Sequence, residues 1–340
     1  MEKGEVMNTR NLIRVTAFLA ICGLALFSRP VKAATVFSDD FSGSTVQATS
    51  TPTPTSTSYD LACNKAPNNN ATATIGTGHF TVTFPNTSSG IVEMQALFAS
   101  TPVTLSSAGD YIDFQLTFTE VGGVMTASAS KSSNLAMGLY NSGGVAPLTT
   151  LNAGTEGNAA AGGVQGWTGY HSDTFVGVAG GTSSKLFYRQ AQANAAGDQD
   201  LLEGGANQPG TGYYYTNPLA TQIGSSQTST LLLTDSSVYT ADFKITLGAS
   251  DTTISQMFYD GVGTGGTLEW SQSGTIAQVL PASFDGMGFG WVEKYSGGTV
   301  SSLDFNSIAI TTNVVPEPST LALAGAGLAL LLGMIRRRRS

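Results

Sequence analysis

The sequence predicts an all-β domain, an antiparallel β-sandwich of jelly-roll type, from three observations. Apolar and polar residues alternate with period two in many short runs, the pattern of strands with one buried face. Glycine supplies 41 of 340 residues, and Gly-Gly, Asn-Ser-Gly-Gly and Asp-Gly steps separate those runs as turns. Between the two termini no segment carries a convincing amphipathic-helix pattern. A composition rich in Gly, Ser and Thr also suits a disordered chain, but 41% hydrophobic residues supply enough apolar surface for a core.

Taken in order, the first clean strand is His79-Phe-Thr-Val-Thr-Phe84, in which every second residue is apolar. Ile91 to Phe98 follows, and Tyr111 to Thr119 keeps the alternation over nine residues. Further strands are expected at Leu135 to Tyr140, Lys185 to Ala191, Tyr239 to Leu247, Ile254 to Tyr259, Thr267 to Ser271, Met287 to Val292 and Val300 to Thr311. Ten or more strands without helices close most simply as two packed sheets. Ser44 to Ser58 is a Ser/Thr/Pro tract expected to lie extended and solvated. Leu151 to Gly166 and Ala191 to Gly212 read as long Gly/Ala/Asn-rich loops, where a rigid scaffold usually carries its binding residues.

Five stretches resemble concanavalin-A-like or laminin-G-like jelly rolls: Phe37-Ser-Asp-Asp-Phe-Ser-Gly43, Asp110 to Phe118, Met137 to Gly143, Phe284 to Gly290 and Leu303 to Ile310. The resemblance implies that the first and last strands pair, which would make Val36 to Phe41 a neighbour of Leu303 to Ile310.

The two ends have a different character. Lys3, Arg10 and Arg14 precede an apolar stretch from Val15 to Phe27, and Val31-Lys32-Ala33 then supplies small residues where a signal peptidase reads. Residues 1–33 therefore read as a signal peptide cut between Ala33 and Ala34, with Met1 or Met7 as the start. At the other end, Ser319 to Ile335 is a run of seventeen uncharged residues. At ~1.5 Å per residue it spans a bilayer core as a helix. Arg336, Arg337, Arg338 and Arg339 then hold that end in the cytoplasm, because basic flanks resist transfer. A buried terminal helix of a soluble domain is the alternative, but the run has no polar face.

Val315-Pro-Glu-Pro-Ser, followed by that helix and the arginine tail, resembles the PEP-CTERM sorting signal of Gram-negative bacteria. The resemblance implies recognition by exosortase, a membrane cysteine transpeptidase or protease, through Pro316, Glu317 and Pro318. Two prolines flanking one residue also keep the backbone extended and stop the helix from starting earlier. The organisation expected is thus signal peptide 1–33, β-sandwich 34–313 and sorting signal 314–340, with the membrane helix at 319–335.

Between residues 34 and 315 the only bases are Lys65, Lys131, Lys185, Arg189, Lys244 and Lys294, against twenty Asp and Glu, a net charge of −14. So acidic a domain is a poor partner for nucleic acid or anionic lipid. Cys22 lies in the signal peptide, leaving Cys63 without a partner for an internal disulfide, and no His near it in sequence makes it a reactive thiol.

No Glu-x-Asp-x-x-Glu strand, which would set a nucleophile and an acid on one face, occurs around Glu93, Glu120, Glu156, Glu203, Glu269 or Glu293. Carboxylates from different strands stay open as an alternative. His79 and His171 belong to no metal-ligand pattern. His171, Ser172 and Asp173 are too close in sequence to make a nucleophilic triad, and no Gly-x-Ser-x-Gly elbow occurs. No catalytic residue is assigned. Aromatic faces stack on sugar rings, and Trp167, Tyr170, Tyr213, Tyr214, Tyr215, Trp270 and Trp291 lie in or near Gly-rich turns. Core packing is the competing role for each, except that three consecutive tyrosines on one strand cannot all face inward. Asp39 and Asp40 offer hard oxygens for calcium, the one cofactor considered, though Asp is also a common turn residue.

Together these features describe an exported, exosortase-processed protein, held transiently in the inner membrane and then placed at the outer surface or in the extracellular matrix of a Gram-negative bacterium. The expected activity is non-catalytic exopolysaccharide binding within a biofilm. A polysaccharide hydrolase or lyase on a jelly-roll scaffold and a structural matrix protein without ligand are the alternatives. Signal peptidase and exosortase are the protein partners implied.

Overall fold

The computed structural model describes residues 33–42, 59–63, 72–76, 78–84, 89–121, 133–147, 163–176, 183–191, 201–202, 220–229, 231–277, 282–294 and 301–314. The expected signal peptide up to residue 32, the Ser44 to Ser58 tract, the sorting residues Pro316, Glu317 and Pro318, the expected helix at 319–335 and Arg336 to Arg339 lie outside them. Among the described residues no helix is long and apolar enough to cross a membrane.

Seventeen strands account for most of the described chain. They are β1 (Ala34–Asp39), β2 (Asp60–Cys63), β3 (Thr72–Gly76), β4 (His79–Phe84), β5 (Ser89–Leu97), β6 (Val103–Thr104), β7 (Tyr111–Val121), β8 (Ser133–Asn141), β9 (Thr168–Phe175), β10 (Ser183–Arg189), β11 (Ala220–Thr228), β12 (Val238–Leu247), β13 (Asp251–Asp260), β14 (Thr267–Ala277), β15 (Ser283–Phe284), β16 (Gly286–Lys294) and β17 (Ser301–Thr312). An eight-stranded sheet runs β14-β13-β12-β7-β17-β4-β3, with β1 also on β17. A seven-stranded sheet runs β11-β10-β9-β8-β16-β5-β2, and β15 pairs with β6 alone. Each pairing is antiparallel.

First and last strands pair as the jelly-roll resemblance implies: Ala34 faces Thr312 and Asp39 faces Ile308. The strand β17 takes β7 along one edge, and β4 then β1 along the other. Alternation along β7 points Ile112, Phe114, Leu116 and Phe118 into the core, as it does Ala241, Phe243 and Ile245 on β12. From the seven-stranded sheet Met94, Ala96, Leu135, Met137, Leu139, Met287 and Phe289 meet them. Phe289 bridges the layers, with Phe305 at 5.1 Å, Phe114 at 6.3 Å and Phe80 at 6.4 Å, all in edge contact. Such aromatic pairs add to the area they bury. The result is an all-β, antiparallel jelly-roll sandwich.

Candidate functional site on the seven-stranded sheet

The outer face of the eight-stranded sheet is ordinary, half-exposed and rich in Thr and Ser. The seven-stranded sheet differs: apart from Asn141 and Thr168 at strand ends, the described side chains of β8, β9 and β16 are buried on both faces. On its outer face lie Glu93, Gln95 and Leu97 of β5, then Gly290, Gly288 and Gly286 of β16, then Ala136, Gly138 and Tyr140 of β8. The next strands add Asp173, His171 and Gly169 of β9, then Lys185, Phe187 and Arg189 of β10. One cross-strand row therefore reads Gln95, Gly288, Gly138, His171, Phe187, and the next Glu93, Gly290, Ala136, Asp173, Lys185. The small residues in the middle of each row leave the sheet surface low between longer side chains on either side, a trough that is covered in the folded chain.

Side chains from beyond the sheet fill part of that trough. The glycine at 286 makes room for the Trp167 ring, since a Cβ there would fall 2.9 Å from two ring carbons. Tyr140 bends over Gly138, and Leu201 lies over Gly288. Tyr140 donates its hydroxyl to the Leu201 carbonyl at 2.8 Å. Glu93 accepts from the peptide N–H of Leu201 at 2.8 Å, from that of Leu202 at 3.0 Å, and from the Gln95 amide. Ala136, Tyr140, Val164, Trp167, Leu201 and Leu202 thereby form a second, smaller apolar cluster. Replacing Gly286 by Ala is expected to lower stability by about 1–3 kcal/mol through overpacking against Trp167, read as a fall in melting temperature.

The electrostatics of the trough follow from burial. His171 is fully buried and stacked on Phe187 at 5.0 Å. Desolvation, then the Arg189 charge, push its pKa down to about 3, so the ring is neutral. Desolvation raises Asp173 to about 8 against the pull of Lys185, so its carboxyl holds a proton at neutral pH. Arg189 donates to the Trp167 carbonyl. Tyr140 is raised well above the usual phenol range by burial and by the Glu93 charge. Among the described residues, neither ring nitrogen of His171 nor Oδ1 of Asp173 finds a hydrogen-bond partner. Buried polar atoms normally do, and Thr174 Oγ1 on the same strand shares this state.

Ser172, between them, faces the opposite way and donates to Gln256 in the interior. The strand geometry thus separates it from His171 and Asp173. Glu93 and Asp173 stand in one row three strand spacings apart, roughly 14 Å along the sheet. An inverting hydrolytic pair needs at most about 9.5 Å. Elsewhere, Asp113 and Asp242 on the outer face of the other sheet touch by a hydrogen bond, closer than a retaining pair.

The aromatic residues expected to stack on sugars are placed differently. Trp167 is fully buried, its Nε1–H donated to the Val145 carbonyl at 2.9 Å. Tyr170 is buried on the inner face of β9 against Tyr188 at 5.4 Å and Phe284 at 6.2 Å, because Gly169 and His171 take the outward positions. Neither offers an open ring face. Trp270 is half-buried on the edge strand β14, 6.2 Å from Phe258, with Nε1–H directed at the Thr228 carbonyl at 3.4 Å. Trp291 lies on β16, and Tyr213, Tyr214 and Tyr215 lie outside the described residues.

Asp39 and Asp40 do not fit a calcium ion. Asp39 turns inward and accepts from the Phe41 N–H at 2.8 Å and the Tyr59 hydroxyl at 3.0 Å. Asp40 is exposed, takes the Ser42 N–H at 3.0 Å, and is held below the usual carboxylate range by Ser42. Among the described residues no three His, Cys, Asp or Glu side chains converge.

The Glu93, Gln95 and Arg189 walls carry no motif, and sequence reasoning missed them. The available signal was Gly-Met-Gly-Phe-Gly at 286–290, a strand with one bare face.

Comparison with known proteins gives two findings and one blank. Residues 314–339 match the family model of the PEP-CTERM protein-sorting motif. No curated protein sequence matches the chain. Among solved structures the chain is similar to peanut lectin with a 9mer peptide, at 13% identity and TM-score 0.37 over 84% of this chain and 99% of that one. It is similar also to winged bean acidic lectin complexed with methyl-α-D-galactose, at 9% identity and TM-score 0.39 over 83% and 98%. The exoplasmic/lumenal domain of VIP36 in its Ca2+/Man3GlcNAc-bound form is similar at 8% identity and TM-score 0.36 over 75% and 86%. The fold assignment itself rests on strand order and register. The chain is a jelly-roll β-sandwich protein bearing the PEP-CTERM protein-sorting motif, which marks it for export and processing at the membrane.

Proposed function

We propose that exosortase cuts this chain at its Pro316–Pro318 motif, and that the freed sandwich works at the outer surface or in the extracellular matrix of a Gram-negative bacterium as a non-catalytic polysaccharide-binding module. The sorting motif at residues 314–339 supports the destination. One observation carries the binding: His171 and Asp173 present buried, unpartnered polar atoms beside a glycine floor. A neutral imidazole and a protonated carboxyl each donate and accept, which suits the hydroxyls of a sugar. Leu201 and Leu202 mimic that complement, giving N–H donors to Glu93 and a carbonyl to Tyr140. Sugar hydroxyls replace them when the pair lifts.

Affinity electrophoresis through gels cast with the host's exopolysaccharide tests this. Wild-type protein is expected to be retarded, and Asp173→Ala, which removes both the donor and the acceptor of the carboxyl, to bind about tenfold more weakly. Leu201→Ala, which loosens the competing pair, is expected to bind more tightly. Equal mobility of all three with and without polysaccharide contradicts the binding reading.

A further inference from the structure

The outer face of the eight-stranded sheet carries one place that its Thr and Ser rows do not explain. Asp113 of β7 and Asp242 of β12 are diagonal neighbours there, since Lys244 pairs with Asp113 and Gln115 with Asp242. Their carboxyls share a hydrogen bond. Asp242 exposes only 3% of its surface. Oδ1 of each is buried and, among the described residues, has no hydrogen-bond partner. The base that faces Asp113 supplies none: the Lys244 ammonium stands over the Tyr111 ring, 3.9 Å from its centre.

Two buried carboxyls in contact cost stability. Burial, then the hydrogen bond and charge of Asp113, raise Asp242 to about 8. An asparagine at 242 would keep a hydrogen bond without that cost, so the fold itself does not call for the pair. Perturbed carboxyls of this kind gather at sites that meet a ligand. What the two Oδ1 atoms lack is a donor, and a domain of net charge −14 over residues 34 to 315 attracts a cationic one. Among the described residues no third His, Cys, Asp or Glu joins the pair, whereas calcium takes about six to eight oxygens. An ammonium group needs only about three acceptors. Gln115, directly opposite Asp242, adds an amide oxygen to the same face. Tyr259 of β13 faces Thr240 and so lies diagonal to Asp242; it is half-buried, with its hydroxyl turned to Met257 Sδ at 3.3 Å. A half-open aromatic ring beside paired carboxyls suits a sugar that bears an amine.

We propose that Asp113 and Asp242 seat the charged amino group of an amino-sugar unit whose ring lies against Tyr259, so that the polysaccharide bound by this protein carries free amines. This inference rests on the polysaccharide reading above. It adds a second contact on the opposite sheet, which lets one molecule bridge two polysaccharide strands.

Calorimetric titration of the purified protein with a β-1,4-linked glucosamine hexamer, and with the same hexamer fully N-acetylated, tests this. The glucosamine hexamer is expected to bind about tenfold more tightly, because acetylation removes the charge. Asp113→Asn is expected to lose about that factor and Tyr259→Ala severalfold, while Glu269→Gln, at an exposed acid of β14, keeps wild-type affinity. Melting temperatures check the fold of each variant; Asp113→Asn relieves the like-charge contact and is expected to melt no lower than wild type. Equal affinity for both hexamers, no binding of the charged one, or a loss in Glu269→Gln as large as in Asp113→Asn overturns the inference. Calcium chloride that binds alone, and no longer binds to Asp113→Asn, overturns it in favour of a metal site. Retardation by the host's exopolysaccharide separates this inference from the reading it rests on. Loss in Asp173→Ala alone keeps the trough and removes the acid pair from polysaccharide binding; loss in Asp113→Asn alone keeps the acid pair and removes the trough.

Discussion

Melting temperature should fall as pH rises from about 6.5 to about 8, and Asp242→Asn should remove much of that fall. Asp242 is buried, and desolvation, then its hydrogen bond and charge contact with Asp113, raise it to about 8 despite Lys244. Asp173 reaches about 8 by desolvation. A carboxyl whose folded pKa exceeds its unfolded one, near 3.9, binds its proton more tightly in the native state. Its stabilising contribution is complete below that lower value and is lost as pH climbs to 8. Each such group contributes a slope of about −1.4 kcal/mol per pH unit. His171 has the opposite sign: lowered to about 3, it costs stability as pH falls below about 6.5. Above 6.5 the two carboxyls act unopposed and remove on the order of 3 kcal/mol by pH 8. The variant keeps a donor toward Asp113 without the charge. It is expected to melt several degrees higher than wild type at pH 8. Thermal melts across the range decide it; a variant less stable than wild type at pH 8, with an unchanged slope, contradicts the assignment.

Phe289→Ala should cost about 3–5 kcal/mol, enough to unfold much of a marginal domain near 37 °C. The ring is fully buried, lies on the seven-stranded sheet, and touches Phe80, Phe114 and Phe305 of the other. Tyr59 closes over it at 5.7 Å. Removing it leaves a cavity where the two layers meet, which flanking sheets held by hydrogen bonds cannot collapse into. Chemical denaturation should show a lower midpoint with an unchanged slope. A loss below 1 kcal/mol would place Phe289 outside the layer contact.

The eight-stranded sheet was the more legible one. Its strands have one wet face, so period two survives in His79 to Phe84 and Tyr111 to Thr119, and both occur as strands, the second running on to Val121. Val300 to Thr311 shifts by one residue, to Ser301–Thr312. The seven-stranded sheet was legible in part: Ile91 to Phe98, Leu135 to Tyr140, Lys185 to Ala191 and Met287 to Val292 occur as β5, β8, β10 and β16, whereas β2, β9 and β11 gave no such signal. On β9 the outward positions hold Gly169, His171 and Asp173, and the inward ones Tyr170 and Ser172; no hydrophobic rhythm remains to mark a strand. The edge strand β11, ATQIGSSQT, has little apolar content at all. Exposure of Trp167 could not be read from its Gly-rich setting, since the same glycines that suggest a turn also open the space that buries the ring. Glu93 showed no catalytic spacing in the sequence. Its role depends on Leu201 and Leu202, a hundred residues away and visible only once the chain is folded.

The chain contains two histidines, His79 and His171, and this permits a direct measurement. In protein labelled with 15N-histidine, the His171 ring signals should report a neutral imidazole throughout the neutral range. Titration with the host's exopolysaccharide should then move His171 and leave His79, on the other sheet, in place. If polysaccharide binds yet His171 stays still, or if His79 alone responds, the trough on the seven-stranded sheet is not the binding surface.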